Sequence, residues 1–390
     1  MIFEKTKLKD ICSSISDGDH QAPPKATKGV PFVTISNITN TNQFDFSNTM
    51  FVPQEYYDRL DSKRKAQEGD VLYSVVGSFG IPVYIKEATP FVFQRHIAIL
   101  RPDVEKILPK FLYYTMLNRD FYMKADAAAI GAAQRTVSLT ALRNMEIEIP
   151  HIETQKKIVG VLSAYDDLIE NNQKQIKLLE EAAQRLYKEW FVDLRFPGHE
   201  GVAIVDGVPE GWKKEKLIDI VDVQYGFAFD GSLFNSQGVG TPIIRIRNIP
   251  PGTTNDYTTQ EADEQYIVSN GDIVVGMDGE FHINSWCGKT AYLVQRTCKL
   301  TPKNELMRGW LLQAIYEPIK FFEKTVVGAT VAHLGKKHID TIELLTGPDD
   351  LYMPFKDLFN KRQLLLNQNI LLAEARDRIL PKLMSGEIEV

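Results

Sequence analysis

Residues 158–190 read IVGVLSAYDDLIENNQKQIKLLEEAAQRLYKEW, and the spacing of the apolar residues decides how this part of the chain folds. Ile158, Leu162, Tyr165, Ile169, Asn172, Ile176, Leu179, Ala183, Leu186 and Trp190 fall at alternating steps of four and three, with polar residues between them. That is a heptad seam held for more than four repeats, the pattern of a coiled coil. Asn172 is its one polar member, and such a residue fixes register at some cost in stability. Pro150 precedes the run and Pro197-Gly198 ends it. A helix about 50 Å long is therefore expected from Ile158 to Phe191, at 1.5 Å per residue.

A second seam lies near the C-terminus: Phe355, Leu358, Arg362, Leu365, Asn369, Leu372, Arg376, Ile379 and Leu383. Three of these nine positions are polar, which a lone coiled coil tolerates badly, so this helix needs a specific partner. The nearest candidate is the first helix, and within one chain an antiparallel pairing lets both meet. A plain dimerisation coiled coil is the competing reading.

Working outward, what precedes each helix is also said twice. Pro31-Phe32-Val33-Thr34-Ile35-Ser36-Asn37-Ile38 returns as Pro242-Ile243-Ile244-Arg245-Ile246-Arg247-Asn248-Ile249. Gly69-Asp70-Val71-Leu72 returns as Gly271-Asp272-Ile273-Val274, Gln94-Arg95 as Gln295-Arg296, and Leu178-Leu179-Glu180-Glu181-Ala182 as Leu371-Leu372-Ala373-Glu374-Ala375. The offsets shrink from 211 through 202 and 201 to 193, as in a duplication with small deletions. The expected parts are a globular unit over 1–150, a helix in 151–196, a second globular unit over 197–350 and a second helix in 351–390. Short apolar runs broken by Gly, Pro, Asn and Asp (Pro31–Ile38, Val71–Val76, Val83–Ile85, Ile97–Leu100) predict strands, and Pro109 to Lys124 predicts a helix. Two similar units joined through antiparallel equivalent helices have a pseudo-twofold relation. Duplex DNA has one too, so the arrangement suits reading two separated half-sites on opposite strands.

Composition permits this without arguing for it. A chain of 390 residues, 44% hydrophobic and 25% charged, is ordinary for two or three globular domains. No apolar run approaches a membrane helix, and Met1-Ile2-Phe3-Glu4-Lys5 is not the start of a signal peptide. The odd set Cys12, Cys287 and Cys298 reads as free thiols in a reducing cytoplasm. The net charge of −6 is unevenly placed: 18 basic against 17 acidic residues in 1–150, but 14 against 21 in 197–350. Local basic loops can still hold phosphates, because screening limits a charge's reach to roughly 8–10 Å.

In this order of parts the chain resembles the specificity subunits of type I restriction–modification systems, over essentially its whole length. The likeness is carried by Asp17-Gly18-Asp19-His20 with Pro23-Pro24, by Gly69-Asp70-Val71-Leu72, and by Pro150 with Gln155-Lys156-Lys157-Ile158. Leu186 through Trp190-Phe191-Val192-Asp193, Tyr225-Gly226-Phe227-Ala228-Phe229 and the tail Leu380-Pro381-Lys382-Leu383-Met384-Ser385-Gly386-Glu387-Ile388 complete it. The resemblance implies an α+β fold: two pseudo-symmetric mixed α/β target recognition domains separated by two long antiparallel coiled-coil helices that act as spacers. It implies a non-catalytic, sequence-specific double-stranded DNA-binding subunit that reads a bipartite target. Two methyltransferase subunits carrying S-adenosylmethionine and two translocase–nuclease subunits using ATP and Mg would supply adenine-N6 methylation and restriction, in the cytoplasm. The alternative is a two-domain protein–protein scaffold that reads no DNA.

The residues themselves offer no active site. Ala22-Pro23-Pro24-Lys25 and Ile249-Pro250-Pro251-Gly252 have the prolines of an adenine-methyltransferase loop without its acceptor or aromatic, and read as turns. Gly288-Lys289-Thr290 lacks the first glycine of a phosphate loop, which Ile283 replaces. Pro102-Asp103-Val104-Glu105-Lys106 reads as a solvated turn, and the seven histidines have no zinc spacing.

For DNA contact, base edges call for Arg, Lys, Asn or Gln, while other basic residues hold phosphates. The duplicated loops come first: Gln94-Arg95-His96 and Gln295-Arg296, each Arg having the competing reading of a surface residue paired to an acid. Ser78 lies in the glycine-rich loop Ser74–Gly80, which corresponds to Gly276–Phe281. Gln134 and Arg135 lie in Gly131–Thr136, which corresponds to Gly328–His333 with Thr330 and His333, and Lys336 and Lys337 follow. His20, Lys25 and Lys28 share a Pro-containing loop. Arg245 and Arg247 alternate with Ile244 and Ile246, which predicts one strand face.

Overall fold

A computed structural model describes residues 2–39, 41–132, 134–325 and 332–390. The chain forms two compact units: Met1–Asp167 with Ala373–Val390, and Leu168–Leu372. Each is built on the same plan.

In the first unit a four-stranded antiparallel sheet has the order Cys12–Asp17, Ile97–Pro102, Val71–Ser74, Pro82–Tyr84. Strand alternation splits its residues between two cores. Val71, Tyr73, Ala98 and Leu100 pack with Leu8, Ile15, Phe111 and Leu142, whereas Leu72, Ile97 and Ile99 pack with Val33, Phe91 and Phe93. Buried on both faces, these strands read in sequence as continuous apolar runs. A three-stranded sheet places Val30–Val33 between Met50–Val52 and Val92–Phe93, the last pairing parallel. Phe3–Lys7 pairs antiparallel with Glu146–Pro150, so the ends of this globular part lie side by side.

The second unit repeats this. Its four-stranded sheet has the order Val221–Tyr225, Thr297–Pro302, Ile273–Gly276, Ile283–Ser285, and the pair Ile273↔Leu300 matches Val71↔Leu100. Thr241–Ile244 pairs parallel with Ala291–Leu293, as Val30–Val33 does with its own partner. Lys213–Lys216 pairs antiparallel with Glu343–Thr346.

The long helices run Ile152–Tyr187 and Met353–Ser385. Within the first unit, Ile158 and Leu162 share a core with Leu380, Leu383 and Met384, and Ile379 packs against it. Arg376 donates to Asp166 at 2.6 Å, and the Tyr114 hydroxyl donates to the same carboxylate at 2.6 Å. Within the second unit, Asn172 Nδ2 donates to Asn369 Oδ1 at 2.9 Å. Arg362 reaches Glu180 at 2.7 Å, Ser285 at 2.6 Å and Asn284 at 3.0 Å. Rising numbers on one helix meet falling numbers on the other, so the pairing is antiparallel, and each polar seam position of the C-terminal helix has its own polar partner. Ile169 and Ile176 are buried, with Tyr165, Leu179 and Leu186 half-buried; opposite, Phe355 and Leu365 are buried and Leu358 and Leu372 half-buried.

Three elements differ from the sequence expectation. The helix over 109–124 is two helices, Pro109–Leu117 and Arg119–Ala128, because Asn118 takes an extended conformation and its side chain caps the second through the amide of Asp120. The central helix stops being α at Tyr187; Trp190 lies in a π turn, Lys188–Val192, where Phe191 is buried with Trp212, Trp310 and Phe355. The strand expected to carry Arg245 and Arg247 ends at Ile244, and Ile246–Asn248 forms a 3-10 turn because the Asn248 side chain accepts from the Arg245 amide at 2.8 Å. Asn37 does the same to Thr34 at 2.9 Å. Arg245 and Arg247 therefore do not share a strand face.

Candidate nucleic-acid interface

Gly18 and Gly226, at equivalent ends of the strands Cys12–Asp17 and Val221–Tyr225, position the candidate site. A Cβ on Gly18 would lie 2.3 Å from the Phe93 carbonyl oxygen and 2.5 Å from that of Gln94; one on Gly226 would lie 2.0 Å from the Val294 oxygen. Only glycine lets the chain pass this close. In the first unit the Asp19 amide then donates to Phe93 O at 2.8 Å and the Arg95 amide to Asp19 O at 3.0 Å. In the second, Phe227 N donates to Leu293 O at 2.9 Å and Gln295 N to Phe227 O at 2.7 Å. The buried carboxylate of Asp19 anchors its segment, accepting from the Tyr56 hydroxyl and from Arg64.

A third loop joins at the end of the paired Gly-Asp strands. Val75 N donates to His96 O at 2.9 Å and Val137 N to Val75 O at 2.9 Å. Met277 N donates to Arg296 O at 2.9 Å and Leu334 N to Met277 O at 2.7 Å. Val76 bridges Thr136, and Asp278 bridges His333. Three loops far apart in sequence thus converge in each unit. The first unit collects His20, Ser78, Gln94, Arg95, His96, Gln134 and Arg135; the second collects Gln295, Arg296 and His333, with Lys336 and Lys337 exposed at the start of the following helix.

Their partners differ. Arg95 is exposed and its side chain has no hydrogen bond or ion pair among the described residues. His20 Nε2 lies 2.8 Å from Asp17. Arg135 pairs with Asp126 and stacks 5.5 Å from the Phe79 ring centre, so it is held against its own unit. Arg296 pairs with Asp278, which also binds His333 Nδ1 at 2.5 Å. Burial pushes the Asp278 carboxyl up, but the His333 and Arg296 hydrogen bonds outweigh it and hold it below the ordinary carboxylate range. A cleft of about 420 Å³ lies over this cluster, lined by Tyr225, Met277, Gln295 and Thr297 as well.

The structure does not bring the remaining residues here. Lys25 and Lys28 are exposed on a loop that pairs through Ala26 with Phe51, and no hydrogen bond ties that loop to the site among the described residues. Arg247 pairs with Asp256 at 2.6 Å, and Arg245 lies over the Phe234 ring at 5.7 Å. Thr330, with Gly328, Ala329 and Val331, lies outside the described residues, as does Ala133. Sequence reasoning missed Asp278; its place in the glycine-rich loop, at the position of Val76, was the available signal.

Gly252 N closes a turn on Ile249 O at 3.0 Å, as expected of the Pro250-Pro251 segment, and Gly288-Lys289-Thr290 leads into a strand rather than a helix. Cys12, Cys287 and Cys298 are free thiols, pushed up by burial to about 12, 11 and 12. Among the described residues no group of His, Cys, Asp or Glu could hold a metal ion, and no helix is long and apolar enough to cross a membrane.

A family model described as the type I restriction modification DNA specificity domain matches residues 3–181 and again 209–348. The MjaIX specificity subunit of Methanocaldococcus jannaschii is 26% identical over 408 residues, covering 100% of this chain and 94% of that protein. The HindI specificity subunit of Haemophilus influenzae is 22% identical over 470 residues, covering 99% of each. Among solved structures, the type I restriction–modification S subunit from M. genitalium matches with a TM-score of 0.56 at 16% identity, over 98% of this chain and 96% of that one, a likeness of fold. A duplicated α+β body with a duplicated loop cluster, matched over most of its length, belongs to the type I restriction–modification DNA specificity family: this chain is a specificity subunit, the non-catalytic component that recognises the DNA target.

Proposed function

We propose that the two globular parts, 1–150 and 197–350, each read one half of a bipartite double-stranded DNA site, and that the helical segments 151–196 and 351–390 set the spacer. Supporting this most directly is the twice-built cluster: the same close-approach glycine, the same loop after the parallel strand and the same third loop, carrying different side chains, with Arg95 and His96 standing where the second unit has Gln295 and Arg296. Copies that read different half-sites should share the frame and differ in the groups presented. Gln94, Arg95, His96, Ser78, Gln134 and His20 are the contacts of the first unit; Gln295, Arg296, His333, Lys336 and Lys337 are those of the second, with Thr330 retained on sequence grounds. Lys25, Lys28, Arg135, Arg245 and Arg247 hold phosphates at most.

In this reading the chain carries no cofactor. It directs adenine-N6 methylation by two methyltransferase subunits that bring S-adenosylmethionine, and restriction by two translocase–nuclease subunits that use ATP and Mg, in the cytoplasm. Co-purification with a methyltransferase subunit, followed by selection from a random duplex library, tests it. Enrichment of two short motifs at a fixed interval is the expected result. Uniform binding to every duplex would favour a protein–protein scaffold instead.

A further inference from the structure

At one place in the loop cluster the two units differ in charge. Where the first has Val76 bridged to Thr136, the second has Asp278 bridged to His333. Both oxygens of Asp278 are in use, one by Arg296 Nη1 and one by His333 Nδ1, and its side chain is only 10% exposed while that of Arg296 is 63% exposed. The carboxylate is thus placed to act on Arg296 rather than on a ligand. Nε and Nη2 of Arg296 have no partner among the described residues, leaving one edge of the guanidinium fork open beside the cleft. Arg296 also sits at φ +69°, a left-handed conformation that is unfavourable for a non-glycine residue. Such a conformation persists where the surroundings over-determine it. Here the Gln295 amide is bonded to Phe227 O, the Arg296 carbonyl accepts from Met277 N, and Thr297 Oγ donates to Val294 O at 2.6 Å. Backbone and side chain of this one arginine are both held, whereas the equivalent position of the first unit, whose carbonyl accepts from Val75 N, is His96 and has no left-handed backbone.

We infer that Asp278 is a positioning residue that turns Arg296 from a phosphate-seeking cation into a base reader, so that the second unit discriminates guanine at a position where the first unit presents His96 instead. The inference rests on the reading that these loops meet DNA. A guanidinium read by guanine O6 and N7 needs its fork fixed in a plane, whereas a phosphate accepts a cation from many directions. Pairing with a carboxylate also lowers the local positive charge, which disfavours phosphate contact and favours a partner that the fork geometry matches.

The test uses the full chain in complex with its methyltransferase subunit, a random duplex library and two salt concentrations. Wild type is expected to select guanine at a position of the second half-site. Asp278→Asn should weaken that preference about tenfold, leave the first half-site's profile unchanged, and steepen the logarithmic salt dependence by about 1 as the freed cation finds a phosphate. Asp278→Asn with Arg296→Ala should match Arg296→Ala alone, because Asp278 acts through Arg296. Should Asp278→Asn fail to fold, Arg296→Lys keeps the surface charge without the fork. Loss of the guanine preference with affinity for non-site duplex retained supports the inference. A profile unchanged in Asp278→Asn or in Arg296→Lys, with wild type still site-selective, overturns the inference and leaves the DNA-reading function standing. A wild type with no site preference overturns that reading, and the inference falls with it.

Discussion

At the scale of single residues, close approach and charge pairing make opposite demands. Gly18 and Gly160 are both glycines in ordered structure, but a Cβ on Gly18 would meet Phe93 O at 2.3 Å, while one on Gly160 meets nothing within 4 Å. Gly18→Ala is therefore expected to push the Asp19–His20 segment off the Gln94–Arg95 loop and destabilise the chain by about 1–3 kcal/mol, the range for overpacking. Gly160→Ala, in the central helix, should stabilise it by about 0.5–1 kcal/mol. Urea unfolding of both variants checks the pair, and equal effects would reject the geometry. Asp278 supplies a pH signature. Its folded carboxyl is held below the ordinary value, so its contribution is present above the unfolded carboxylate pKa near ~4 and is lost as pH falls through the folded value. The stability gap between wild type and Asp278→Asn should accordingly be seen at neutral pH and close in acid; a gap that grows with acid would refute the pairing.

At the scale of elements, the two long helices show what an apolar pattern can and cannot carry. Their seams were legible because a period repeated over 30 residues survives local irregularity, and the polar positions Arg362, Asn369 and Arg376 foretold a specific partner. The strand ends were not legible. Asn37, Asn118 and Asn248 each redirect the backbone through one side-chain hydrogen bond, a local competition that hydrophobic spacing does not register. The site was half legible for a related reason. Duplication exposed the two loops but set Gln94-Arg95 on Gln295-Arg296, whereas the bonds Val75 N to His96 O and Met277 N to Arg296 O place them one residue out of register; and Asp278 meets Arg296 and His333 across 18 and 55 residues, a contact made by tertiary closure that leaves no period. The helix pairing itself is testable in the first unit. Arg376 and Asp166 are about 19% and 23% exposed, and Tyr114 donates to the same carboxylate. Arg376→Met removes the charged donor while leaving the hydroxyl, and should cost about 1.5–3 kcal/mol, the worth of a hydrogen bond to a charged group. Adding Asp166→Asn should recover part of that loss; a cost below a few tenths in the single variant would show that this rung does not hold the helices.

At the scale of the molecule, modularity follows from where each globular part begins and ends. Phe3–Lys7 pairs with Glu146–Pro150, and Lys213–Lys216 with Glu343–Thr346, so each part is closed by an antiparallel pair that holds its entry and exit together. A part joined to the rest through two adjacent strands can be replaced without changing the separation of the chain ends that its replacement must meet. The three-loop cluster lies wholly between those strands in each unit, with the hydrogen bonds from Val75 and Met277 made inside it. Exchanging residues 1–150 for the corresponding part of another specificity subunit should therefore change one half of the recognised sequence and leave the other half and the spacer as they were. The spacer should respond to a different change. Asn172 is bonded to Asn369, so a heptad inserted beside one requires a matching heptad beside the other to keep the seam in register. Such a matched insertion should alter the spacer and neither half-site, whereas an insertion in one helix alone should destabilise the pair. Methylome sequencing of cells carrying each exchanged or lengthened chain with its methyltransferase reads all three outcomes. If exchanging the first part changed both halves, the duplicated clusters would not be independent readers, and the division of labour argued from Gly18 and Gly226 would be wrong.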